Sequence, residues 1–139
     1  MNIENKYKKI IVSGKRKRAV AKATLIAGTG KITINDKEYQ SIQPFDVLRI
    51  REPLEIAKAI IGKTEFDVKI SVRGGGEKSQ IDAARLALAR AIVEFTGSKE
   101  LEQNYIEYDR SLLVADVRRK EAYKPGDSKA RSKRQSSKR

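Results

Sequence analysis

The apolar residues of this 139-residue chain stop abruptly, and that stop limits what can fold. After Val117 the sequence contains no Val, Ile, Leu, Met or Phe, and residues 118–139 offer only two Ala and one Tyr for burial. Ordering the backbone costs roughly 1–2 kcal/mol per residue, which so little apolar surface cannot offset. The sequence therefore predicts one globular domain over residues 1–117 and an extended basic C-terminal tail over residues 118–139, disordered in the free protein.

The formal charge of +13 is concentrated at the two ends of the chain. Residues 1–23 carry eight Lys or Arg against one Glu, and residues 118–139 carry ten against two acids, whereas residues 24–117 carry 13 against 15. A charge that served only solubility would be spread over the surface, whereas blocks of one sign repel themselves until a partner neutralises them. This distribution predicts a protein that binds polyanions.

Cys and His are absent from the sequence. Their absence removes disulfides, thiolate nucleophiles and Cys-type zinc sites, together with the commonest general base and metal ligand. No apolar run approaches the ~20 residues of a membrane span, and the first residues lack the apolar region of a signal peptide. We therefore expect a soluble intracellular protein that is not an enzyme, with no cofactor or metal and with neither a membrane nor a small-molecule substrate as partner.

Apolar periodicity predicts an α+β fold, a small mixed β-sheet with helices packed on one face. Strands are expected at 10–12, 19–27, 31–34 and 66–72, and helices at 45–61, 79–95 and 98–108. The turn Gly28-Thr29-Gly30 predicts a hairpin that joins the second strand to the third. Pro53 predicts a break in the first helix. Residues 112–117 fit either a last short strand or an extended exit segment, and Phe45, Phe66 and Phe95 are expected in the core.

The block Gly14-Lys15-Arg16-Lys17-Arg18, expected in a turn, carries the densest charge of the N-terminal region. Each Arg offers a bidentate fork to a phosphate, and each Lys a point charge. A solvated loop and a nuclear import signal are the alternatives. The matching cationic tail favours phosphate binding.

Three glycines, Gly74, Gly75 and Gly76, precede the strongest predicted helix. Glycines before a helix N-terminus can form an anion-binding nest, to which Arg73 and Lys78 would add charge. Equally, the glycines simply permit a sharp turn from strand to helix. The spacing alone does not separate these two interpretations.

Ten cations interleave with Ser and Gln in the tail. Such a segment can thread between RNA helices and become ordered on binding, and the alternative is a merely solubilising tail. Tyr123 could stack on a base, although a surface Tyr is the simpler expectation. Asp109 and Asp116 could be taken for a hydrolytic carboxylate pair, but nearby arginines favour local ion pairs.

Several short runs, in this order, match one known family. They are Gly14-Lys15-Arg16-Lys17-Arg18-Ala19-Val20-Ala21, Gly28-Thr29-Gly30 with Ile34-Asn35, Gly74-Gly75-Gly76 with Gln80 and Ala83-Ala84-Arg85, Asp116-Val117-Arg118-Arg119-Lys120-Glu121, Pro125-Gly126, Ala130-Arg131 and Gln135-Ser136-Ser137-Lys138-Arg139. Over essentially the whole chain, this set resembles the small-subunit ribosomal protein nine family. The amino-acid sequence of residues 119–126 is similar to that of the family's archaeal and eukaryotic branch, and we expect an archaeal type.

The resemblance implies a domain like the second domain of ribosomal protein S-five, in the cytoplasmic ribosome. Its partners would be the ribosomal RNA in the head of the small subunit (the major 3′ domain), neighbouring small-subunit ribosomal proteins, and the peptidyl-site tRNA. Lys138 and Arg139 would approach the backbone of the tRNA anticodon stem-loop. The residues expected to bind ribosomal RNA are Lys15, Arg16, Lys17, Arg18, Arg73, Gly74, Gly75, Gly76, Lys78, Gln80, Arg118, Arg119, Lys120, Lys124, Lys129, Arg131, Lys133 and Arg134.

The main alternative function is that of a free cationic RNA- or DNA-binding chaperone without a fixed site. It predicts steep salt dependence with no preferred RNA, because counterion release does not depend on sequence.

Overall fold

Three helices cover one face of a five-stranded mixed sheet in the computed structural model, which describes residues 8–136. The strands are β1 (Ile10–Arg16), β2 (Ala19–Ala27), β3 (Ile32–Ile34), β4 (Lys37–Glu38) and β5 (Phe66–Arg73). The helices are α1 (Pro44–Ile61), α2 (Glu77–Thr96) and α3 (Lys99–Tyr108), with 3-10 turns at Tyr39–Ser41 and Arg110–Leu112. The predicted α+β class is confirmed.

The order of strands in the sheet is β1-β2-β5-β3-β4. β2 is antiparallel to both β1 and β5, whereas β3 is parallel to β5. The predicted hairpin between β2 and β3 is therefore wrong, because β5 lies between them. β5 buries Phe66, Val68, Ile70 and Val72 on one face, so a central place in the sheet suits the most regular apolar strand of the chain.

A carboxylate holds the connection from β2 to β3 in place. One oxygen of Asp67 accepts hydrogen bonds from the backbone N–H groups of Thr29, Gly30 and Lys31 at 2.9–3.0 Å. The glycine turn thus passes the end of β5 instead of closing a hairpin. After β3 the chain turns through Asn35 and Asp36, both with positive φ, and forms a hairpin with β4.

Helix α1 continues through Pro53, so the predicted break is also wrong. Pro53 is buried, and its carbonyl accepts a 2.6 Å hydrogen bond from the Tyr105 hydroxyl in α3. Proline has no backbone N–H to donate to the carbonyl of Arg49, and we attribute the continuity of the helix to this packing, which stabilises Pro53 despite that lost hydrogen bond. Gly62 ends the helix as expected, with φ of 83° and its N–H donated to the Lys58 carbonyl.

The core lies between the sheet and helix α2. Strand β1 approaches α2 closely at Gly14, where an added Cβ would lie 2.7 Å from the backbone nitrogen of Ala87. Phe66 is buried and meets Phe95 edge to face, with ring centroids 6.0 Å apart. Phe45 is 79% exposed on the first turn of α1, so its predicted core position is wrong. The neighbouring Asp46 takes the buried position and pairs with Lys78 at 3.0 Å.

Helix α3 begins as predicted at the N-cap Ser98, whose hydroxyl accepts the N–H of Leu101. After the 3-10 turn at Arg110–Leu112, residues 113–136 form neither helix nor strand, so residues 112–117 are an exit segment. The domain boundary at 117 and the disorder of the free tail stay predictions. None of the helices within residues 8–136 is long and apolar enough to cross a membrane.

Candidate nucleic-acid interface

The basic block at the first turn is mostly strand. β1 continues to Arg16 and β2 starts at Ala19, so the turn itself contains only Lys17 and Arg18. Lys17 adopts a φ of 53°, which is rare for non-glycine residues. Because side chains alternate along a strand, Lys15 is exposed on the open face of the sheet, while Arg16 is partly buried. The expected five-residue loop is thus divided between two surfaces.

Three segments that are distant in sequence surround one groove of about 690 Å³. They are the end of β1 with its turn, the start of α2, and the first residues of the tail. The groove is lined by Arg16, Lys17, Arg18, Gly75, Gly76, Ser79, Arg118, Arg119 and Lys120. Among residues 8–136, no Asp or Glu lines it. We call it the basic groove.

The glycine turn brings the start of α2 against the β1–β2 turn. Gly74 and Gly75 have φ of 77° and 65°. A Cβ on Gly74 would lie 2.6 Å from the carbonyl oxygen of Arg18, and one on Gly75 would lie 2.9 Å from the nitrogen of Ala19. Only glycine permits both this backbone conformation and this close approach. The sharp-turn interpretation is therefore correct, and an anion nest remains compatible with it because α2 begins in the groove.

The polar residues expected around this turn bond within the domain. Lys78 pairs with the buried Asp46, and Gln80 donates a 3.1 Å hydrogen bond to the carbonyl of Gly74. Arg73 lies on the open face of the sheet, opposite Val20. Of the residues predicted for the nest, only Gly75 and Gly76 line the basic groove.

Asp116 organises the start of the tail. Its carboxylate accepts hydrogen bonds from the Arg118 guanidinium at 2.7 and 2.9 Å and from the Arg118 N–H at 2.8 Å, and it forms an ion pair with Arg16. These bonds to Arg118 hold the pKa of Asp116 well below its usual range. Arg16 also lies 3.8 Å from Asp82. The predicted local ion pairing of Asp116 is thus correct, and Arg16 serves partly as an anchor.

Asp109 belongs to a separate group of charges. Burial acts to raise its pKa, but hydrogen bonds from Ser111 and the charge of Arg85 lower it below the ordinary value. Arg85 is buried and pairs with both Asp109 and Glu52. Because Asp109 and Asp116 neutralise different arginines, their arrangement is that of structural ion pairs.

Two arginines that the sequence analysis did not predict as site residues connect elements of the domain. Arg85 joins α1 and α2 to the end of α3 through its two carboxylates. Arg90 donates to the carbonyls of Leu113 and Ser13 at 2.9 and 3.0 Å, so it holds the exit segment beside edge strand β1. The sequence could have indicated these contacts, because a cation within a long apolar helix needs a partner when it is buried.

The remaining tail cations up to residue 136 are exposed. The Lys120 ammonium lies 4.5 Å from the ring centroid of Tyr123, which is a surface residue. Arg131 pairs with Glu121 at 3.1 Å, and Arg134 donates to the Gly126 carbonyl. Lys124, Lys129 and Lys133 are also at the surface. Lys138 and Arg139, expected at the tRNA, lie outside the described residues.

Comparison with known proteins gives one consistent relationship. The model of the family described as ribosomal protein S9/S16 matches residues 14–139. The small ribosomal subunit protein uS9 of Methanococcus vannielii is 46% identical over 127 residues, which cover 89% of this chain and 93% of that protein. Two proteins with the same name from Methanococcus maripaludis, strains C5 and C7, match with the same identity and coverage.

Proposed function

The chain belongs to the ribosomal protein S9/S16 family, and from this membership we propose that it is a structural constituent of the small ribosomal subunit, with no catalytic activity. Its place is the cytoplasmic ribosome, among small-subunit RNA and neighbouring ribosomal proteins. The archaeal type expected from the sequence agrees with the Methanococcus relatives. Binding to the RNA of the subunit head, at the major 3′ domain, is the finer part of this proposal.

The basic groove is the observation that supports RNA binding most strongly. Cations from two separate segments, the end of β1 with its turn and the first residues of the tail, line one concave surface without an acidic residue among its described lining. A folded domain must hold these charges together against their mutual repulsion, which a phosphate backbone would relieve. Lys17 and Arg18 are exposed and form no ion pair or side-chain hydrogen bond within residues 8–136. Of the exposed tail cations in the groove, Arg119 donates to two backbone carbonyls and Lys120 lies over the Tyr123 ring, so Lys17 and Arg18 are the groove cations best placed for phosphates.

The tail supplies the second part of the proposal. Lys124, Lys129, Arg131, Lys133 and Arg134 would neutralise ribosomal RNA, as the family resemblance implies. Lys138 and Arg139 would contact the backbone of peptidyl-site tRNA. A contact to phosphate reads charge and not base sequence, so it would serve every tRNA alike.

The double variant Lys17→Ser/Arg18→Ser tests the basic groove. Filter binding to small-subunit ribosomal RNA over a range of salt should show weaker binding, and the slope of log K against log salt should fall by about one per lost phosphate contact. The matched control is Arg51→Ser/Lys58→Ser, which removes the same charge from exposed positions on α1. Equal losses for both variants would favour the free cationic chaperone instead.

Deleting Lys138 and Arg139 tests the tRNA contact. We expect tRNA to dissociate faster from the peptidyl site of small subunits that carry the shortened chain. An unchanged dissociation rate for every tRNA would exclude this role and leave the ribosomal RNA role intact.

A further inference from the structure

The face of the sheet opposite the helices is open to solvent. Alternate residues of β1, β2 and β5 point outward there, because the intervening residues fill the core. The strand register aligns them in three rows. The rows are Lys15 with Val20 and Arg73, Ser13 with Lys22 and Ser71, and Ile11 with Thr24 and Lys69.

Positive charge dominates this open face. Lys15 and Arg73 flank Val20 in one row, so their Cα atoms are about 9–10 Å apart, two strand spacings. Lys22 lies in the next row, about 7 Å along β2. None of these three cations forms an ion pair within residues 8–136, whereas Lys69 pairs with Asp36.

The single acid within these strands does not cancel that charge. Asp67 lies one row further along β5, opposite Ile26. One of its oxygens already accepts three backbone N–H groups from the connection between β2 and β3. The centre of the open face, around Lys22, therefore carries unopposed positive charge.

Hydroxyl groups lie between these cations. Ser13 and Ser71 stand on either side of Lys22, and both are exposed. A hydroxyl can both donate to and accept from a ribose 2′-OH, while an ammonium binds the adjoining phosphate. The A-form RNA duplex displays 2′-OH groups and phosphates across a wide, shallow minor groove, which suits a flat surface of this kind.

The open face and the basic groove lie at the same end of the sheet, where β1 turns into β2 and β5 ends. Lys15 immediately precedes the groove residue Arg16, and Arg73 immediately precedes the glycine turn. On the opposite side of the domain, helix α3 carries Glu100, Glu102 and Glu107 against Lys99. The domain is thus polarised, with its sheet side suited to a polyanion and its α3 side unsuited to one.

We propose that the open face of the sheet is a second RNA-binding surface, which holds the sugar-phosphate backbone of an A-form RNA duplex across its minor groove. This proposal rests on the proposed function, which supplies RNA as the ligand. It adds that Lys22, Ser13 and Ser71 contact that RNA. It also moves Lys15 and Arg73 from the turn region to this face. A protein partner fits less well, because Lys at the centre of an interface is disfavoured.

The experiment compares full-length variants on two probes, a 20-base-pair RNA duplex and a DNA duplex of the same sequence. Lys22→Ser should weaken RNA duplex binding about three- to tenfold and reduce the salt slope by about one, while Lys22→Arg retains both. Ser13→Ala/Ser71→Ala should reduce the preference for RNA over DNA by about three- to tenfold, with the salt slope unchanged. Lys58→Ser on α1 is the matched charge control.

The groove variant Lys17→Ser/Arg18→Ser, measured in parallel, separates the two proposals. If the groove variant loses affinity while Lys22→Ser binds like the wild type, the open face is not an RNA surface and the proposed function stands. If the open-face variants bind RNA normally but fail to enter the small subunit, the face contacts a protein and the inference is overturned. Loss of affinity in Lys58→Ser equal to that in Lys22→Ser would overturn it as well.

Discussion

Asp116, two residues before the tail, forms an ion pair with Arg16, at the end of the first strand. The same carboxylate binds the guanidinium and the N–H of Arg118. Asp116, which lies 100 positions after Arg16, is thus fixed to strand β1, which leads into the basic groove. This relationship sets where the tail leaves the domain, and it places Arg118, Arg119 and Lys120 at the groove.

Asp116→Asn should release the start of the tail. The substitution removes the charge that holds both arginines, so the backbone around Arg118 should open more often and become a better protease substrate. We expect trypsin to cleave after Arg118 and Arg119 severalfold faster, relative to cleavage after Lys129 further along the tail. Mass spectrometry of the early fragments measures this ratio.

Glu121→Gln is the matched control for this anchor. It removes one negative charge, as Asp116→Asn does, but Glu121 pairs only with the exposed Arg131 within residues 8–136. Its cleavage ratio should stay that of the wild type. An identical acceleration in both variants would mean that net charge, and not the contact with Arg16, protects the segment.

Local sequence pattern predicted the elements whose structure depends on neighbouring residues. The alternation of β5 and the apolar spacing of α2 each identify the buried face, because a single period describes it. The N-cap Ser98 and the end of α1 at Gly62 were likewise predicted from the local sequence. The pairing of β2 with β5 could not be predicted in this way. β5 lies about 40 residues later in the chain, and the nearby glycine turn indicated a local hairpin instead.

Tertiary contacts explain the other differences. Pro53 remains within a helix although it cannot donate to the Arg49 carbonyl, and the packing that offsets this loss includes Tyr105, about 50 residues away, whose hydroxyl donates to the Pro53 carbonyl. The sequence identified the groove cations by charge, but it could not tell that Arg16 pairs with Asp116 or that Lys78 pairs with Asp46. The set of cations that lines one groove depends on how the segments near residues 17, 75 and 119 fold together. The local spacing of residues in the sequence does not predict this.

Gly14→Ala should destabilise the domain strongly. The added Cβ would meet backbone atoms of α2 near Ala83 and Ala87, which cannot move without shifting the helix. Overpacking of this kind costs about 1–3 kcal/mol, so the urea midpoint should fall clearly while the slope of the transition is retained.

Gly76→Ala provides the comparison for Gly14→Ala. Gly76 has an extended backbone with φ of −92°, and a Cβ there would meet no atom within 4 Å. Its unfolding free energy should stay within about 0.5 kcal/mol of the wild-type value. If Gly14→Ala were as stable as Gly76→Ala, the close contact between β1 and α2 would be wrong.

Tyr105→Phe should cost about 1–2 kcal/mol, because it removes a buried hydrogen bond to Pro53 and leaves the volume nearly unchanged. Burial raises the pKa of the Tyr105 phenol, so the hydroxyl remains a neutral donor well into alkaline conditions. Chemical denaturation at neutral pH measures the loss. Tyr108→Phe, at an exposed position on the same helix, should be close to neutral.

Asp67 should contribute to stability against acid. The N–H of Lys31 is the main cause that lowers the pKa of Asp67; burial opposes it, and the N–H groups of Gly30 and Thr29 add to it. A carboxyl with a depressed folded-state pKa stabilises the fold above its unfolded pKa, about 3.9. That contribution disappears as pH falls through the lower, folded-state value. The wild type should therefore lose more stability than Asp67→Asn between pH 6 and pH 3.

Asp36→Asn separates this effect from a general loss of negative charge. Asp36 is an exposed carboxylate whose ion-pair partner, Lys69, is also exposed, so solvent screens the pair and its removal should matter little. Urea midpoints at pH 6 and pH 3 should fall by the same amount for Asp36→Asn and the wild type. The fall should be smaller for Asp67→Asn alone, because only that substitution removes the carboxylate that binds the connection between β2 and β3. Equal acid sensitivity in all three proteins would show that these backbone bonds do not depend on the charge of Asp67.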